Sequence, residues 1–136
     1  MHDRPTALEL IAAARGHLER EVLPALGDAR LRFRTLVAAH VLGVVERELA
    51  RGEAPLREEW TRLQALLGRA DAPPASLAEL TAALQRGEEE LCARIRAGDA
   101  DAGPFRDAVL HHVRESLREK LRVASPGFTG EPPHGA

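Results

Sequence analysis

Between Asp28 and Gly52 the chain carries apolar residues on nearly every side of a helix. Phe33, Leu36, Val37, Val41 and Val44 fall on one face at three- and four-residue spacing. Leu31, Ala38, Leu42, Val45 and Leu49 fall on nearly the opposite one. A helix that is apolar on most of its circumference is expected inside a fold, covered by other helices. This segment, the second helix of the chain, is therefore predicted to be the centre of a bundle. Asp28 is its expected N-cap and Gly52 its stop. Gly43 in its middle costs about 1 kcal/mol of helix propensity, which a close helix crossing would explain.

Helical spacing recurs elsewhere, and no segment reads as a strand. Thr6 and Glu9 form a capping-box pattern ahead of Ile11, Ala14, Leu18 and Val22. Pro24 lacks a backbone donor and crowds the preceding turn, so a kink or break is expected near Val22. Pro55 opens a third helix, with Leu56, Trp60, Leu63 and Leu67 as its stripe. Pro73-Pro74 lies in the longest internal break. Ser76 and Glu79 repeat the capping box before Leu77, Leu80, Leu84, Leu91 and Ile95, and Gly87 is expected to bend that helix. Pro104 opens the last helix, with Val109, Val113, Leu117 and Leu121 as its stripe. The expectation is an all-α, five-helix, mostly antiparallel bundle over residues 1–125. Residues 126–136, rich in Gly and Pro, are expected to form a disordered tail on which Phe128 alone could dock.

Composition removes several functions. The chain has 136 residues, one Trp, three Phe and no Tyr, so it lacks the aromatic platforms on which single-stranded nucleic acid stacks. Its net charge of −2 supplies no basic patch for a phosphate backbone. No apolar run approaches the roughly 20 residues of a membrane span. The opening residues do not read as an export leader, and the single cysteine, Cys92, fits a reducing compartment. A cytoplasmic location is the expectation. Asn is absent, Gln occurs at 64 and 85 alone, and Lys120 is the one lysine. A thermophilic source and a GC-rich genome would each give that bias.

No phosphate loop, nucleophile elbow, paired-cysteine pattern or His-Glu-x-x-His occurs, so no metal and no cofactor are expected. His40 stands between Val37, Val41 and Val44 and is the polar residue most in need of explanation. A buried imidazole needs a partner or costs about 1–3 kcal/mol. It is either a core histidine bonded to a carboxylate or carbonyl, which is the favoured reading, or a base or ligand contact. Glu88, near the stripe of the fourth helix, and Arg15, at the edge of the first, are its candidate partners. These three residues form the candidate buried polar or ligand site. His111 and His112 point about 100° apart on a helix and are not expected to share a metal ion. One is expected to be exposed and the other near the core edge. Cys92 reads as a small buried hydrophobe. The run from Arg114 to Arg122 reads as a solvated face whose like charges are offset by Glu115–Arg118 and Glu119–Arg122.

Several segments resemble an uncharacterised family of bacterial all-helical domains. They are Asp3-Arg-Pro-Thr-Ala-Leu-Glu-Leu10, Glu21-Val-Leu-Pro-Ala-Leu26, Val37-Ala-Ala39 with Val45-Glu-Arg-Glu-Leu49, Glu90-Leu-Cys-Ala-Arg-Ile-Arg-Ala-Gly98, and Lys120-Leu-Arg-Val-Ala124 with Pro126. Together they span most of the chain, and each is a helix segment, not a catalytic signature. The resemblance implies a gene neighbourhood of aminoglycoside-phosphotransferase-like kinases and acyl-CoA dehydrogenase-like proteins. It thereby implies an accessory role in an acyl-CoA-linked catabolic pathway. It carries over no catalytic residue, and the family's Asn at the position of His40 argues against an essential imidazole.

Three expectations follow. The first is a non-enzymatic module that binds a protein partner, such as the kinase or the dehydrogenase-like protein. The second is a binder or enzyme for an acyl or phosphorylated hydroxyacyl group, with a pocket around His40. The third, compatible with both, is a homodimer that covers a leftover apolar face such as Leu31, Leu42 and Leu49.

Overall fold

The computed structural model describes residues 4–128, and these are helical with no strand among them. The elements are α1 (Ala7–His17), a π turn (Leu18–Val22), α2 (Leu23–Ala25), α3 (Ala29–Arg51), α4 (Ala54–Leu66), α5 (Leu77–Arg96), α6 (Gly103–Ala124) and a 3-10 turn (Pro126–Phe128). α1, the π turn and α2 make one rod, so the architecture is the expected five-helix bundle.

The capping chemistry works largely as the sequence implies. Glu9 N–H donates to Thr6 Oγ1 at 3.2 Å, and Thr6 N–H donates to Glu9 Oε2 at 2.7 Å, completing the box. Leu31 N–H donates to Asp28 Oδ1 at 2.8 Å. At Ser76 the serine half forms, with Glu79 N–H donating to Ser76 Oγ at 3.2 Å. Gly52 takes φ +62° where α3 stops, a left-handed conformation that other residues adopt at a cost. Pro24 does not break the first rod. A Pro has no N–H to give the carbonyl four residues back, and the chain widens instead, with Leu23 N–H donating to Leu18 O across a π turn.

The buried apolar core lies between α4, α5 and α6. Trp60, Leu63, Leu80, Leu84, Leu91 and Val109 form it, with Leu56, Leu66, Leu67 and Phe105 packed around them. Trp60 also donates its Nε1–H to Asp71 O at 2.9 Å, fastening the Pro73-Pro74 connector to α4. Gly87 does not interrupt α5, which runs continuously from Leu77 to Arg96. A Cβ there would stand 2.7 Å from Leu63 Cδ2, so glycine is what lets α4 and α5 cross this closely.

The central position expected for α3 is corrected by this geometry. α3 packs on α1 along one side and on α6 toward its C-terminal end, but it contributes nothing to the main core. Ala39 and Gly43 are buried against α1, and a Cβ on Gly43 would meet Arg15 Cδ at 3.5 Å, an ordinary van der Waals distance. The rest of the α3 belt is open: Phe33 is 66% exposed and Val41 52%. Periodicity marks which residues are apolar but not that no helix among the described residues covers them. α6 departs from expectation in the same way. Its buried residues are Val109, His112 and Ser116, while Val113 and Leu117 face outward. Phe128 is exposed, and residues 129–136, most of the expected tail, lie outside the described residues.

Candidate functional site

The three residues singled out from the sequence do not form one site. Arg15 sits in the α1–α3 seam, where its Nε–H donates to Glu46 Oε2 at 2.7 Å and its Nη1 pairs with Glu19 at 3.0 Å. The Glu46 carboxylate holds the Arg15 guanidinium above its usual range; burial pulls against that and Glu19 adds to it. Glu88 faces α6, with its Oε1 at 3.9 Å from Lys120 Nζ. His40 is exposed. Its apolar neighbours lie on a side of α3 that no other element covers, so the imidazole is solvated and needs no internal partner. Cys92 is likewise exposed, against the expectation of burial.

A different polar cluster is buried instead. α4 and α6 separate toward the C-terminal end of α3 and leave a cleft of about 260 Å³. Arg62 and Glu59 of α4 line one wall and Ser116 and Lys120 of α6 the other, while Pro55, Leu56 and Val123 supply apolar surface. Arg51 of α3 and Arg122 both pair with Glu119 beside the opening. Arg47 Nε–H donates to Val123 O at 2.7 Å and fixes α3 against α6 below it. Within the cluster, Glu59 Oε1, Arg62 Nε and Nη2, His112 Nδ1 and Ser116 Oγ are buried with no hydrogen-bond partner in the protein. Buried polar atoms are nearly always paired with protein, water or ligand, so these five call for a polar partner, and the residues that carry four of them, Glu59, Arg62 and Ser116, line the cleft.

His112 is the most enclosed of these, 4% exposed. Burial pushes its pKa below the ordinary 6.5; the Glu59 carboxylate partly restores it, and the charges of Arg62 and Lys120 add to the lowering. The imidazole is accordingly neutral at pH 7, free to donate or accept one hydrogen bond. The expectation of one exposed and one inward histidine at 111 and 112 fits, but the inward one is fully buried. The sequence did contain a signal for it: Phe105, Val109, His112 and Ser116 recur at four, three and four residues, one helix face. Leu110, Val113 and Leu117 make a second, more apolar stripe on the outward side of the same helix.

The cluster offers both donors and acceptors, the Arg62 guanidinium among the first, the Glu59 carboxylate among the second, and the Ser116 hydroxyl as either. Among the described residues no group of His, Cys, Asp and Glu is arranged to hold a metal ion. Among them, too, no helix is long and apolar enough to cross a membrane.

The family described as Domain of unknown function (DUF6285) matches residues 24–128, and the chain belongs to it. No curated protein and no solved structure matches the chain.

Proposed function

For a member of the DUF6285 family with this surface, we propose a non-enzymatic, cytoplasmic interaction module that docks onto another protein. The observation that carries this reading is the outward face of α6. Leu110, Val113 and Leu117 are 40%, 48% and 54% exposed and lie at three- and four-residue spacing. Contiguous apolar surface of this kind on a small protein marks an interaction site more often than chance. Arg106 and Arg114 stand one turn either side of Leu110, so the matching surface carries acidic side chains at its rim. The partner we assign is the phosphotransferase-like kinase that the sequence resemblance implies, within an acyl-CoA-linked catabolic pathway.

Size-exclusion of the two purified proteins together tests this. The reading expects a joint peak that Leu117→Asp abolishes while helical content stays unchanged. Separate elution at micromolar concentration counts decisively against the kinase as partner.

One observation favours a second reading, a small-molecule binder. Arg62, Ser116 and Glu59, each with a buried polar atom that lacks a partner in the protein, line a cleft with an apolar wall. On this reading the pocket is there and not at His40. The ligand is an acyl or phosphorylated hydroxyacyl group held by the Arg62 guanidinium. Titration of a hydroxyacyl phosphate into the isotope-labelled chain would shift the Ser116 and Arg62 resonances. Unchanged spectra at millimolar ligand would discard it.

A further inference from the structure

The side of α3 turned away from α1 has a pattern of its own. The buried pair Ala39 and Gly43 fixes the direction of α1. On the opposite side lie Arg30, Arg34, Val37, Val41, Val44 and Glu48, separated by four, three, four, three and four residues. That alternation is the register in which one helix seats against another in a coiled coil. It also reads the same from either end. Its centre is valine, and its ends carry opposite charge.

These end charges are unspent. Arg30, Arg34 and Glu48 are exposed, and none has an ion pair or hydrogen bond within the chain among the described residues, although most arginines of the molecule do. The middle of this face has no covering element among the described residues, since Val37 is 45% and Val41 52% exposed; toward the C-terminal end Val44 is half-buried and Glu48 stands at the rim of the α4–α6 cleft.

We infer that this face of α3 is covered by α3 of a second copy of the chain, packed antiparallel about a two-fold axis level with residue 39. In that register Val37 lies opposite the partner's Val41, Val44 lies beside the partner's Arg34, and Arg30 lies opposite the partner's Glu48. The last pairing occurs twice, once at each end of a seam roughly 27 Å long at the α-helical rise per residue. Parallel pairing would set Arg30 against Arg30 and Glu48 against Glu48, so the charges select the antiparallel arrangement. The two α1–α3 hairpins then form a four-helix layer whose inner seam is Val37, Val41 and Val44. A two-fold interface of this self-complementary kind is the commonest mode of homo-oligomerisation. It leaves the α6 face of each copy open, so it neither requires nor excludes the docking proposed above.

Light scattering on the full chain is the test. The expected mass is twice 14.8 kDa. Val41→Asp, which places two carboxylates close to the axis, should give a monomer with unchanged helical content. Arg30→Glu and Glu48→Arg should each weaken the dimer by about tenfold or more, because each sets like charges together. The doubly reversed chain should regain the affinity of the original. A monomer at near-millimolar concentration would overturn the inference. So would a dimer indifferent to Val41→Asp, or a charge-reversed pair that stays weak. Binding of the kinase is scored separately on the Leu117→Asp chain, so loss of self-association leaves that reading standing or falling by its own result.

Discussion

Gly87 of α5 and Leu63 of α4 occupy each other's space: a Cβ on the glycine would stand 2.7 Å from Leu63 Cδ2, and Leu63 has no solvent exposure into which to retreat. Gly87→Ala gains about 1 kcal/mol of helix propensity but forces apart two helices that share the core. Overpacking of that sort costs about 1–3 kcal/mol, so the net effect is destabilisation. Denaturant unfolding of the variant should show a lower midpoint. Leu63→Ala should relieve the clash yet cost about 2–5 kcal/mol on its own. The two changes together should therefore lose less than their sum.

Arg15 has two jobs in the α1–α3 seam, and substitution can separate them. Its guanidinium pairs with Glu46, and its aliphatic stem packs beside Gly43, at 3.5 Å from where a Cβ on that residue would stand. Arg15→Met keeps the stem and loses the charge, whereas Arg15→Ala loses both. The expected order of thermal midpoints is parent, Met, then Ala. A double-mutant cycle with Glu46→Gln should give a coupling of about 1 kcal/mol or less, since both side chains are still partly solvated.

His112 makes stability depend on pH in a definite direction. Burial holds its folded pKa below the value of 6.5 it has when exposed. The unfolded chain therefore binds a proton more readily, and stability falls as pH drops through the mid-sixes toward the lower, folded pKa. Above that window the imidazole is neutral in both states and the effect vanishes. Thermal midpoints measured from neutrality down to about pH 5, above the range in which ordinary carboxylates titrate, should decline. His112→Leu should flatten that decline. An equal slope in the variant would assign the pH dependence elsewhere.

Trp60 tests how the connector is held. Trp60→Phe retains most of the ring but removes the donor to Asp71 O. The cost should be about 0.5–1.5 kcal/mol. Amide exchange should quicken in residues 69–75 more than in α4, because the connector's attachment to that helix is what has been cut.

The helices were legible because their signals are local. Thr6, Asp28 and Ser76 cap helices through bonds to residues three positions away, and Gly52 ends one by its own conformation. What covers a face is not local. The valines of α3 and the leucines of α6 have the spacing of core residues, and nothing in that spacing distinguishes a face buried by the same chain from one left for another. His40 lies beside such a face and is solvated, whereas His112 is buried on the more polar face of α6. The cleft depends on α4 and α6 diverging beside the C-terminal end of α3, a relation among residues far apart in the sequence, such as Arg62 and Ser116. Arg62 and Ser116 had no reason to be linked before that divergence was seen.

The confinement of the apolar core to α4, α5 and α6 divides the molecule into parts of unequal durability. In the α1–α3 hairpin the fully buried residues are Gly16, Ala39 and Gly43, while Ile11, Leu18, Leu42 and Val45 are half-buried, so its closure contributes less hydrophobic free energy than the core. It should open first on heating, ahead of the three-helix core, as a separate cooperative unit. Its midpoint should rise with protein concentration if a second copy covers α3, because mass action then favours the closed form. Concentration thus becomes a way of setting how much of the chain is folded, with the core helices unaffected at both extremes.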